Sequence, residues 1–240
     1  MSGRQASGYV SSGVGATGAV SGGESGRAVR GEARWPSVAA VLVGILLTLA
    51  RPKEMRLAPV WVLPGVEVVL LAVLIARDPG RIDKRSSLLR GVSIVVVALL
   101  VLDAMVATVR LIAVLIRGGS MTNSPEKLLA AGGVVWLSNL IVFALLYWEL
   151  DAGGAANRAH RMPRYLDLAF TQQLSPEVAR PGWRPGFGDY LYLAMTTSTA
   201  FSPTDVMPLA LWAKMAMGLQ SLISLAVVGL VVARAVNVFT

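Results

Sequence analysis

Five long apolar runs separated by polar segments constrain this chain more than any motif in it. They extend from Trp35 to Ala50, Ala58 to Ala76, Val92 to Ile116, Leu128 to Trp148 and Leu209 to Val236. The hydrocarbon core of a bilayer is about 30 Å thick and takes roughly 20 residues of helix to cross, so each run reads as a membrane span. The first is short, and Trp35 and Arg51 at its ends suit interfacial anchors. In the second, Pro59 and Pro64 fall in the first turns, where a missing N–H costs least. Arg90 and Arg117 frame the third, and Tyr147 with Trp148 ends the fourth at interface depth. Of the 240 residues 55% are hydrophobic and 15% charged, with a mean hydropathy of +0.62, an apolar share that a water-soluble fold cannot hide.

The expected fold class is all-α: a polytopic transmembrane helical bundle of five to six helices, with a short helix, crossing or re-entrant, before the last span. Residues 1–34 are dominated by Gly and Ser and offer little to bury, which predicts a disordered tail. Residues 35–148 carry four transmembrane helices. Residues 149–186 form a polar loop with room for a short surface helix, broken by Gly153, Gly154, Pro163, Pro176, Pro181 and Pro185. Residues 187–240 hold the short helix and the final span. As a helix from Phe187 to Ser202, the former extends only about 24 Å at about 1.5 Å per residue, so it barely spans or does not.

The first apolar stretch opens only after Trp35, with no small-residue cleavage pattern behind it, so the tail is expected to stay in the cytoplasm. That orientation puts Arg77, Arg81, Lys84, Arg85 and Arg90 inside, together with Arg158, Arg161, Arg164, Arg180 and Arg184. The outer side receives Arg51, Lys53 and Arg56 in one loop and Arg117 and Lys127 in another. The richer side is inside, as the positive-inside rule requires. The localisation that follows is the plasma membrane, multi-pass.

The formal net charge of +8 is spread between the apolar runs instead of along one face, which suits anionic lipid headgroups and not nucleic acid. There is no cysteine, hence no disulfide, thiolate nucleophile or Cys-ligated metal. His160 is the single histidine, which weighs against a His-rich metal site or a Ser-His triad. No catalytic pair stands at a credible spacing, so no enzyme activity, cofactor or metal is expected.

Ionisable residues inside apolar runs are costly unless paired or facing a wet cavity. Here they are Glu67 in the second run and Asp103 and Arg110 in the third, the last two about 10 Å apart by helical rise and so placed to flank a partner such as Glu67. They read either as a proton or ion relay or as an ion-pair network that fixes packing. Asn139, Gln220, Ser221 and Ser224 read as interhelical glue or the lining of a cavity. Thr196, Thr197, Ser198 and Thr199, followed by Asp205, form a polar intramembrane or pore-mouth candidate, with Asp205 alternatively bonding nearby backbone N–H groups. Asp189 reads as the N-cap of the short helix.

The segment from Asp189 to Val238 carries Asp189 to Tyr192, then Thr196 and Thr199, then Thr204 and Asp205, and a last helix reaching Asn237. In this it resembles the C-terminal part of a family of bacterial membrane proteins called domain of unknown function 1345. That resemblance implies a membrane location and an all-helical fold, and no activity. The order Thr196, Thr197, Asp205, Pro208 and a long helix after Leu209 is also similar to the pore region of two-helix potassium channels, which implies a pore helix leading into a filter. The glycines of such a filter are absent, since none lies between Gly188 and Gly218.

Together these features predict passage or binding of a small ion or solute through a pore-like C-terminal hairpin, Phe187 to Val236, in a homo-oligomer embedded in the lipid bilayer. The alternative is a non-transporting membrane scaffold or regulatory partner.

Overall fold

The structure, a computed structural model, describes residues 31–56, 59–77, 80, 82, 86–118, 124–160, 165–199 and 205–239, the last three by backbone alone. Most of the expected tail, residues 1–30, lies outside the described residues. The described residues are mostly helical. The five apolar runs become α1 (Trp35–Ala50), α2 (Val62–Arg77), α3 (Ser87–Arg117), α4 (Pro125–Leu150) and α8 (Leu211–Phe239). Between α4 and α8 lie α5 (Ala155–His160), β1 (Leu168–Phe170), α6 (Thr171–Leu174), α7 (Phe187–Ser198) and β2 (Val206–Pro208).

Local chemistry sets the helix ends. The Ser86 hydroxyl accepts from Leu89 N–H at the start of α3, and Ser124 accepts from Lys127 N–H one residue before Pro125 opens α4. Gly118, at φ +76°, ends α3. Arg51 is extended and Pro52 follows it, so α1 stops there.

Among the described residues three helices are long and apolar enough to cross a membrane: Ser87–Arg117, Pro125–Gly153 and Leu211–Val236. α1 is apolar but has 16 residues, as has α2. At about 1.5 Å per residue each covers about 24 Å, against about 46 Å for the 31 residues of α3. The link between α1 and α2 therefore ends partway down α3, and Met55 within it packs among Ala107, Leu111 and Leu128.

The bundle has two chemically distinct ends. At the proximal end, Arg34 N–H donates to Gly80 O and Ile82 N–H to Glu32 O, joining the end of the tail to the α2–α3 connection. Glu32, expected in the tail, accepts from Trp148 Nε1 at the end of α4 and from Phe187 N–H at the start of α7. The described residues of the segment 149–186, expected as a loop, form a cap over the same end. Its Leu168, Ala169 and Phe170 are all buried and pair antiparallel with Pro208, Met207 and Val206, the one departure from an all-helical chain among the described residues.

This pairing defines the C-terminal unit. Phe187 starts α7 beside Trp148 at the proximal end, and the 12 residues of α7 reach about 18 Å into the bundle. The chain then returns, because β2 lies against β1 and Leu209 N–H donates to Asp167 O. α8 starts there and runs to the distal end, where Val231 and Ala235 pack with Leu115 and Leu128.

α4 and α8 approach closely at Gly132, where an added Cβ would lie 2.7 Å from Val231 Cγ2; at Gly133 it would meet nothing within 4 Å. Small residues permit this kind of backbone approach. Gly132→Leu should destabilise the protein by about 1–3 kcal/mol through overpacking, read as a lower unfolding temperature in detergent, while Gly133→Leu should leave it near wild type.

Candidate functional site

The residues singled out in the sequence fall into two separate places. The hydroxyl run of α7 is spent on local and interhelical bonding. Thr196 Oγ1 donates back to Tyr192 O or Leu193 O, and Thr199 Oγ1 to Met195 O or Thr196 O, both within their own helix. Ser198 Oγ accepts from Gln220 Nε2 at 2.7 Å, and the same nitrogen donates to Ala194 O at 2.9 Å. Gln220 Oε1 accepts from Tyr147 OH at 2.6 Å, so this fully buried amide locks α8 to α4 and α7. Ser221 Oγ donates to Thr197 O. Thr197 Oγ1 and Ser224 Oγ are buried without a hydrogen-bond partner. Asn139 Nδ2 donates to Thr108 Oγ1 at 2.8 Å and ties α4 to α3 in the same manner.

Asp205 stands outside this network, beside the β ribbon, where its carbonyl accepts from both Thr171 N–H and Thr171 Oγ1. Asp189 sits inside α7 and bonds back to Gly186 N–H at 2.8 Å, so the N-cap position belongs to Gly186.

The charges within and beside the apolar helices resolve differently from the expected grouping. Arg110 faces outward and donates to the carbonyl of Arg56, away from the other two. Asp103 pairs with Arg51: Arg51 Nη1 lies 2.5 Å from Asp103 Oδ2 and 3.2 Å from its carbonyl oxygen. Thr48 Oγ1 donates to the same Oδ2 at 2.9 Å. Arg51 is 2% exposed, Asp103 1% and Glu67 0%. Arg51 and Asp103 both act electrostatically on Glu67, whose two carboxyl oxygens have no hydrogen-bond partner, as is true of Asp103 Oδ1. The cluster thus holds two carboxyl groups and one guanidinium. Arg51 was read from the sequence as an interfacial anchor. The signal that could have found its role is length, since a 16-residue α1 leaves its terminal arginine beside the middle of a 31-residue α3.

Space flanks this cluster along the seam between α1, α2 and α3. At the proximal end an open cleft of about 370 Å³ is lined by Arg34, Ser86, Arg90, Ser93, Glu149 and Asn157 among others. Ser93 Oγ donates to Glu149 Oε2 at 2.6 Å in its wall. Below it lies a void of about 30 Å³ between Val41, Leu71, Leu74, Ser93 and Val97. A third, of about 10 Å³, is bounded by Thr48, Leu63, Pro64 and Asp103. Buried positions on α2 run Pro64, Glu67, Leu71, Leu74, so Glu67 sits on the helix face between the two inner voids. Gly44 and Leu100 close the seam there, an added Cβ at Gly44 lying 3.3 Å from Leu100 Cδ2.

The remaining buried charges build the proximal cap. Arg158 Nη1 donates to Trp148 O and Asp151 O, its guanidinium lies 5.0 Å from the Tyr190 ring centroid, and Tyr190 OH donates to Asp151 Oδ2 at 2.5 Å. With Arg158 Nη2 3.6 Å from Glu32 Oε2, this lattice holds α4, α5 and α7 together. Among the described residues no group of three or more His, Asp or Glu side chains could hold a metal ion.

No protein-family model, curated protein or solved structure matches the chain.

Removing one member of a buried ion pair strands the other charge, at a cost of about 3–5 kcal/mol. Asp103→Ala should lose stability on that scale in detergent unfolding. The double change Arg51→Met with Asp103→Leu should recover most of it, and Arg110→Ala should stay within about 0.5 kcal/mol of wild type.

Proposed function

We propose that the protein is a multi-pass plasma-membrane protein that binds and passes a small ion or polar solute along the α1–α2–α3 seam. The observation that carries this reading is the alignment of a polar cleft, a void, the buried Glu67–Arg51–Asp103 cluster and a second void along one interface. Charged groups within the apolar depth of a bundle are expensive, and they mark ion pathways and relays more often than they occur by chance. The route moves from the C-terminal hairpin to the first three helices, because the hairpin's Gln220 and Ser198 are committed to Tyr147, Ala194 and each other.

In this reading α1, α2, α3, α4 and α8 are five spans, and α7 enters from the tail's side and returns to it. The proximal end, with Arg34, Arg77, Arg90, Arg158 and Arg184, faces the cytoplasm by the positive-inside rule. The resemblance of the last fifty residues to domain of unknown function 1345 then concerns this re-entrant unit. α8 leaves Leu211, Met215, Leu222 and Leu225 exposed, a face for lipid or a second copy of the chain.

A second reading, a non-transporting scaffold or regulatory partner, is favoured by the same Gln220 network, which treats the polar residues of the hairpin as packing. Ion and solute flux separates the two. In liposomes the seam reading expects leak or exchange above that of empty vesicles for protons, alkali cations or small anions, unaffected by Arg110→Ala. Flux equal to empty vesicles for all of these, with partner recovery in a pull-down, would leave the scaffold.

The five-span arrangement has its own check. The chain lacks cysteine, so Thr240→Cys is a clean probe. A membrane-impermeant thiol reagent should label it in intact cells, and protection until the membrane is opened would overturn five spans.

A further inference from the structure

We propose that Glu67 is a proton-binding site, holding one exchangeable proton beside the Arg51–Asp103 pair. This deepens the seam reading and rests on it, naming the proton as the ion that the cluster takes.

Two carboxyl groups and one guanidinium leave the cluster one negative charge in excess if both acids ionise. The guanidinium is committed, since Arg51 Nη1 contacts Asp103 Oδ2 and the Asp103 carbonyl, and Thr48 adds a third donor to Asp103. Among the described residues nothing donates to Glu67: the side chain is 0% exposed and both oxygens lack a hydrogen-bond partner. A bare carboxylate in such surroundings costs several kcal/mol even after relaxation, whereas a neutral carboxyl is a far smaller burden. The surrounding elements offer no other relief. The charges acting on Glu67 are those of Asp103 on α3 and Arg51 at the end of α1, and on α2 itself the only other ionisable residue is Arg77 at the far end of the helix.

The number of available ligands selects the proton over a metal cation. The voids on either side of Glu67 on its helix face measure about 30 and 10 Å³. A single water needs about 10–15 Å³ of such space, so the larger space has room for about two waters and the smaller is at the lower limit for one. A dehydrated metal cation needs several oxygen ligands, whereas the larger space is lined mostly by apolar side chains and the smaller offers Thr48 and Asp103, which are already bonded to each other and to Arg51. A proton adds no volume. Its release becomes favourable when Arg51 turns from Asp103 toward Glu67, so the arginine is the positioning residue that selects which acid is ionised.

The test uses the full-length protein in lipid nanodiscs and reads the carboxyl proton by infrared difference spectroscopy during a pH titration. Wild type should show the C=O band of a protonated carboxyl that disappears as pH rises, with the same titration in sodium and in potassium. Glu67→Gln should lose that band while keeping the wild-type unfolding temperature. In Asp103→Asn the band should fall by at least about half at neutral pH, because Arg51 is freed to pair with the Glu67 carboxylate. A titrating band unchanged in Glu67→Gln, or no titrating band at all, overturns the proposal. Loss of the band on adding sodium at fixed pH overturns it in favour of a metal-cation site. A proton band without flux in liposomes would remove the transport reading and keep the proton site, and flux without the band would do the reverse.

Discussion

The contact between Arg51 and Asp103 fixes how the first three helices sit together. α1 is too short to run the length of α3, so the arginine at its C-terminus lies beside the middle of α3, where its guanidinium bonds to the side chain and carbonyl of Asp103. The pair dictates depth: α1 stops where Asp103 is, and the connection to α2 must fold back there, packing Met55 against Leu111 and Leu128. α2 then descends along the same seam from the other direction and brings Glu67 to the cluster. A hydrophobic pair at positions 51 and 103 would pack the helices without imposing register, whereas a buried ion pair tolerates little sliding because either charge left alone is so costly.

The same rule governs the other half of the bundle, with neutral groups in place of charges. In apolar surroundings each buried polar group needs a partner from the protein itself. Gln220 meets this by bonding across to Tyr147, Ala194 and Ser198, which locks α4, α7 and α8 into one unit. The proximal cap meets it through Arg158, which satisfies carbonyls at the end of α4 and stacks on Tyr190. Glu67 breaks the rule. It is a carboxyl group buried among helices with neither oxygen bonded, a heavier burden than the unpartnered hydroxyls of Thr197 and Ser224 in the hairpin.

How legible the site was depended on whether a residue's partner lies near in sequence. Glu67 and Asp103 stood out because charge inside an apolar run is visible without a structure. Arg110 stood out for the same reason and yet turns outward to the Arg56 carbonyl, because one helical face cannot be told from another when both are apolar. Arg51 looked like an anchor, since the difference in length between α1 and α3 matters only once they lie side by side. The threonines of α7 drew notice as a run, but helical hydroxyls bond readily to carbonyls one turn back, and that local option absorbs Thr196 and Thr199.

The amino-acid sequence by itself determined the helical class, the positions of the five apolar helices to within a few residues at most ends, and the polar character of the segment between α4 and α7. These follow from transfer free energy and helix-end chemistry, which act over a turn or two of chain. Only the tertiary structure decided that Leu168–Phe170 pairs with Val206–Pro208, that α7 therefore returns to the end from which it entered, and that Arg51 meets Asp103 while Arg110 does not. Those outcomes rest on partners 36 to 52 positions apart, and at that separation a residue's own surroundings in the chain carry no information about which group will be there to meet it.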